Sequence, residues 1–219
     1  MGEYEDLVGG LRGRVKGALS SPSPESSWRL RSELHLLEAY LAAHPRAGTP
    51  ELRTSVAETL ALAGETHAIA AEVRGALSDK AYSQLANLVD LGAIGVLAAE
   101  NILTAEKVTL PRLLMSGLSE LLTYLAMRQF VKGSAEVVRG VAQARAPALQ
   151  AALWAFLRRH RPRATPAEMR EAQATVDSVF VKILDASVPP EAQAAFVAGA
   201  FQLLLLVHCA ELLQLAETS

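Results

Sequence analysis

In 219 residues the chain carries one cysteine, Cys209, so no intramolecular disulfide can form and a cytoplasmic setting is expected. Aromatic residues are also scarce, 5% against 51% hydrophobic overall, which leaves Ala, Leu and Val to fill the core. Ala and Leu favour helix, and the β-branched and aromatic residues that favour strands are few. No stretch alternates strictly between apolar and polar, so no strand is expected. A large net charge is missing too: 21 basic and 23 acidic side chains leave -2, which excludes a globally basic nucleic-acid binder but not a local basic patch. The acidic start, Met1-Gly2-Glu3-Tyr4-Glu5-Asp6, lacks the positive flank and apolar stretch of a signal peptide. The longest apolar run, Ala194 to Ala210, is broken by Gln202 and His208 and falls short of the roughly 20 apolar residues of a membrane span. It reads as a buried or interface helix, and no membrane partner is expected. Asparagine occurs only at Asn87 and Asn101, and arginine outnumbers lysine; a hot (thermophile) or GC-rich source would explain both.

What is present is helix punctuation. Thr49-Pro50-Glu51 opens one helix, and Thr165-Pro166-Ala167-Glu168 has the form of a capping box with proline at the first helical position. Ser78-Asp79, Thr109-Leu110-Pro111 and Ser134-Ala135-Glu136 mark three further starts, and Val188-Pro189-Pro190-Glu191 stops one helix and begins the last. Between them apolar residues recur at three and four. Leu113, Leu114, Gly117, Leu118, Leu121, Leu122 and Leu125 make a stripe wide enough for a central helix, while Val176, Val179, Phe180, Ile183 and Leu184 make a narrower, surface one. Pro147 splits its segment, as a kink or as a new start. The spacing predicts helices near 3–19, 25–43, 50–77, 79–103, 110–132, 134–160, 166–186 and 190–217, joined by short loops that make neighbours antiparallel. The fold expected is all-α: one domain over 1–219, an antiparallel bundle of seven to eight helices, with 190–219 at its core or at an oligomer interface.

Patterns that carry chemistry are largely missing. No two of His35, His44, His67, His160 and His208 are four apart, and no Glu precedes a His by three, so zinc-type and di-iron helix signatures are absent. His35 and Glu38 are spaced for a surface hydrogen bond. His208-Cys209 lies in the most apolar helix and reads as a satisfied core imidazole beside a buried thiol. Gly9, Gly10, Gly13 and Gly17 follow no strand and precede no Lys-Ser/Thr, so they form no phosphate loop, and no Gly-x-Ser-x-Gly elbow occurs. Asp90 with Asn87, Glu100 and Glu120 are the acids most suited to a metal, but one acid per helix is too sparse to predict one. No catalytic residue, metal or cofactor is expected.

Charge placement says more. Arg128, Lys132, Arg139, Arg145, Arg158, Arg159, Arg161 and Arg163, with Glu136 the one acid among them, give 128–163 a charge of +7 and leave -9 elsewhere. Segregation of this kind points to an anionic partner or to pairing between subunits. Leu157-Arg158-Arg159-His160-Arg161-Pro162-Arg163 concentrates the charge at a helix C-terminus, where cations complement the macrodipole by about 0.3–1 kcal/mol. Trp154 and Phe156 just upstream serve either stacking or core packing.

Leu113-Leu114-Met115-Ser116-Gly117-Leu118-Ser119-Glu120-Leu121-Leu122, followed by Arg128 and Lys132-Gly133-Ser134-Ala135-Glu136, resembles the leucine-glycine helix, downstream arginine and glycine turn of the translin family. Glu100-Asn101-Ile102-Leu103-Thr104-Ala105-Glu106-Lys107-Val108, and downstream Met169-Arg170, Val176-Asp177 and Val179, are similar to further parts of that family, so the resemblance covers about 79–187. It implies an all-α fold, homo-oligomers, and binding of single-stranded RNA or DNA. Catalytic members of the family are metal-dependent ribonucleases. Where their paired glutamates would fall this chain has Asn87 and Asp90, and near a further acid it has Trp154-Ala155.

The leading expectation is a non-catalytic, oligomeric, translin-like protein that binds single-stranded nucleic acid through Arg158, Arg159, Arg161 and Arg163, with Arg128 and Lys132 in support. The alternative is a helical scaffold or interaction module assembling through its C-terminal helix. A third is a metal-dependent ribonuclease centred on Asp90.

Overall fold

The computed structural model describes residues 2–20, 24–76, 110–126 and 135–218. Among them are seven α-helices and no strand: α1 (Glu3–Ser20), α2 (Pro24–Ala43), α3 (Pro50–Ala76), α4 (Leu110–Ala126), α5 (Ala135–Arg159), α6 (Pro166–Ile183) and α7 (Pro190–Glu217). The expected helix over 79–103, with Asn87 and Asp90, lies outside the described residues, as do Glu100, Arg128 and Lys132.

Local chemistry sets several of the ends. Thr165 and Glu168 form the expected capping box: the Glu168 amide donates to Thr165 Oγ1 (3.3 Å) and the Thr165 amide to Glu168 Oε2 (2.7 Å). These bonds use amides that have no partner within the helix, and the Thr165 amide and hydroxyl, both donating to Glu168 Oε2, hold that carboxyl below its ordinary pKa. Gly48 closes the turn before α3 at φ +71, a backbone region that favours glycine. Pro147 neither restarts nor ends its segment, because α5 runs through it. Pro147 and Gln143 are both exposed, so the Gln143 carbonyl, which loses its donor, can be served by water.

The apolar helix at the end of the chain is the one the others surround. α7 is long and apolar enough to cross a membrane by length and composition alone, but it is buried within the chain. It packs against α1, α3, α4, α5 and α6. A helix apolar all round belongs in a core, and Phe196, Phe201, Leu204, Leu205 and Leu212 are fully or almost fully buried there. α4, whose wide stripe suggested the central position, buries Leu110, Leu114, Leu118, Leu121 and Leu125 but exposes Arg112, Ser116, Ser119, Glu120 and Thr123 to solvent. Gly117 lets it approach α7: a Cβ there would stand 2.6 Å from Leu203 Cδ2. α6 buries Val176, Phe180 and Ile183, the narrower stripe. α3 presents Leu52, Val56, Leu62, Ala63, Ile69 and Val73 to the core, and α5 presents Val138, Ala142, Ala146, Leu149, Leu153 and Phe156.

Candidate binding groove

α3 and α5 lie side by side on α7, and their edges carry opposite charge. Glu58, Glu65 and Glu72 recur every seventh residue of α3. That is nearly two turns, with a drift of only about 20° per step, so the acids follow one edge. Arg145 and Arg159 sit on α5 at a multiple of the same interval. Arg145 pairs with Glu65 (Nη1 to Oε2, 3.0 Å) and Glu72, and Arg159 pairs with Glu58. The later residue of α5 meets the earlier residue of α3, so the two helices are antiparallel. Between the ion pairs the α5 edge carries Ala148, Ala152 and Ala155 and the α3 edge Ala61, side chains too small to close the space. The result is a groove of 780 Å³ with Leu62, Phe156, Phe201 and His208 among its deeper lining and Glu58, Glu65, Arg158, Arg159 and Pro162 around it.

One end of this groove holds a buried polar cluster. Glu211, only 7% exposed, accepts from Arg159 Nη2 at 2.8 Å, and its other oxygen lies 3.4 Å from His160 Nε2. The Phe156 ring stands edge-on to the His160 ring (centroids 4.3 Å) and 5.2 Å from the His208 ring, and the Arg159 guanidinium carbon lies 5.7 Å from its centroid. His208 is 7% exposed, and its Nδ1 has no hydrogen-bond partner. Burial, with Arg159 and His160 adding to it, pushes the His208 pKa down to about 3, so the imidazole is neutral at pH 7. The neighbouring thiol, Cys209, is wholly buried, and burial pushes it up to about 12.

The sequence-predicted basic residues therefore divide. Arg159, itself exposed, is held by Glu58 and Glu211, Arg145 is held by Glu65 and Glu72, and Arg139 reaches the Ala186 carbonyl at 3.4 Å. Arg158, Arg161 and Arg163 are exposed at the end of α5, and Arg158 lines the groove. Of the eight cations of the 128–163 segment, two, Arg145 and Arg159, thus meet acids of their own chain among the described residues. Phe156 belongs to the core, Trp154 is half-buried, and His35 and Glu38 form an exposed pair at 3.5 Å. The imidazole expected to be satisfied, His208, has an orphaned nitrogen instead. No group of three or more His, Cys, Asp or Glu gathers among the described residues.

Sequence reasoning passed over Glu58, Glu65, Glu72, Ala148, Ala152, Ala155 and Glu211. Two signals were there to find. The acids recur every seven residues and the two arginines stand at twice that interval, and His208 and Glu211 lie one helical turn apart in a mostly apolar helix. No family model matches the chain, and no curated protein or solved structure matches it.

Proposed function

We propose that this is a non-catalytic binding protein and that its site is the α3–α5 groove. The observation that carries the reading is a mostly apolar groove of 780 Å³ whose lining includes Leu62, Phe156, Phe201 and the neutral imidazole of His208. Clefts of about 300–1,000 Å³, mostly apolar with a few polar groups, are the usual form of small-molecule sites, and polar groups with shifted pKa values tend to gather in them. His208, at a pKa of about 3, supplies no base near neutrality, which favours binding over chemistry at this place. An uncharged naphthylamine dye, N-phenyl-1-naphthylamine, tests the reading by its fluorescence gain on entering an apolar site. The gain should be lost in Ala61→Trp and in Ala155→Trp, exposed positions on opposite walls where a large ring fills the groove without entering the core. Undiminished gain in both variants contradicts it.

A second reading keeps the translin-like expectation: single-stranded RNA or DNA bound by Arg158, Arg161 and Arg163, in an oligomer. Exposure of all three at the end of α5 favours it. Arg159 and Arg145 are engaged by acids, so fewer phosphates would be contacted than the sequence suggested, and the salt dependence would be correspondingly shallow. Filter binding of a short RNA at rising salt, with the three arginines changed to alanine, decides it: binding unaffected by the change removes this reading. Assembly through the C-terminal helix would need another surface, since α7 is covered by its own chain. α2, with exposed Trp28 and Leu36, offers one.

A further inference from the structure

We infer that the occupant of the groove is a slender amphiphilic anion, its carboxylate or phosphate head at Arg158 and its apolar body along the alanine walls above Phe201 and His208. This rests on the groove being the binding site. Three observations carry the class of ligand.

The first is the pattern of pairing around the rim. Glu58 is matched by Arg159 and Glu65 by Arg145, whereas Arg158 has no acidic partner among the described residues. With Arg145 also holding Glu72 and Arg159 also holding Glu211, every charge named here has a partner of opposite sign except Arg158, which lines the groove at the end of α5. A guanidinium offers a planar fork of donors suited to a carboxylate or phosphate.

The second is the spacing of the ion pairs that cross from α5 to α3. At about 1.5 Å per residue, about 21 Å of helix separates Arg145 from Arg159. A partner helix lying lengthwise between α3 and α5 would have to part these pairs to reach the floor, taking Arg159 from Glu211. A slender chain lies between and beneath them with the pairs intact.

The third is the floor itself. Phe201, Phe156 and Leu62 suit an apolar body, and the neutral His208 adds no charge that such a body would have to desolvate.

Competition against the naphthylamine dye separates the outcomes. Dodecanoate should displace the dye at about fivefold lower concentration than dodecanol, as expected of one charged contact at a partly solvated rim, and dodecyl phosphate should behave like dodecanoate. The difference should close in Arg158→Ala and persist in Arg158→Lys, with dodecanol unaffected by either. Equal displacement by the acid and the alcohol in the unaltered protein overturns the inference and leaves the groove reading standing, as does a difference that survives Arg158→Ala. Displacement by inorganic phosphate alone marks a site for a free anion and also overturns it. If the dye binds but Ala61→Trp and Ala155→Trp bind it equally well, the groove reading itself fails.

Discussion

Arg159 and Glu211 meet at 2.8 Å across the α5–α7 contact, and the guanidinium is the bridge by which a buried carboxylate on the central helix reaches the acidic edge of α3. Its sequence neighbour Arg158 has no such task. Consecutive residues on a helix point about 100° apart, so of two arginines that both line the groove one reaches Glu58 and Glu211 and the other does not.

The two arginines should therefore differ sharply on replacement. Arg159→Ala takes the guanidinium from Glu211, which is 7% exposed, and removing one partner of such a buried pair costs on the order of 3 kcal/mol. Arg158→Ala should change stability by less than about 0.5 kcal/mol. Urea unfolding of both variants at neutral pH checks the contrast, and equal losses would contradict the pairing of Arg159 with Glu211.

Acid should weaken the fold through His208. Its folded pKa of about 3 lies below the unfolded value near 6.5, so the unfolded chain binds the proton first as pH falls. The stability tied to the neutral imidazole is fully present above about pH 6.5 and is lost on the way down to about 3, at about 1.4 kcal/mol per pH unit. Between pH 6.5 and 5 the loss should approach about 2 kcal/mol. His208→Leu, which also removes the orphaned nitrogen, should make the same interval flatter by that amount in urea unfolding. An unchanged slope would show that the imidazole is not held neutral.

Cys209 should ignore thiol reagents in the folded protein. It is wholly buried with its pKa near 12, so thiolate is almost absent at pH 8. Reaction with an aromatic disulfide should proceed at the rate of global unfolding and become immediate in strong denaturant. Fast labelling of the native protein would contradict the central position of α7.

Much of the fold is legible in the sequence because its punctuation is local. Thr165, Pro166 and Glu168 lie within four residues, and their hydrogen bonds can be anticipated without knowing what the helix packs against. The same holds for Pro50 and Pro190, where α3 and α7 begin. The placement of α7 at the centre is also foreshadowed, since Leu203-Leu204-Leu205-Leu206-Val207 leaves no polar face. The groove is not legible in this way. Glu58 meets Arg159, and Glu72 meets Arg145, only once α3 and α5 are laid antiparallel over α7, and each pair is far apart in sequence. Until that pairing is known, a run of arginines at a helix end looks the same whether it awaits a phosphate or is held by the chain's own acids. Arg158, Arg161 and Arg163 are exposed, while Arg159 and Arg145 meet acids that lie far away in the same chain.

The most direct test of binding in the groove is methyl NMR of protein labelled at alanine, titrated with dodecanoate. Ala61, Ala148, Ala152 and Ala155 line the two walls, while Ala167 and Ala174 are exposed on α6 and take no part in the groove. The four wall methyls should shift together along one saturable curve, with Ala167 and Ala174 unmoved. Shifts confined to α6 or α2, or no saturable shift at the walls, would contradict the α3–α5 groove as the binding site.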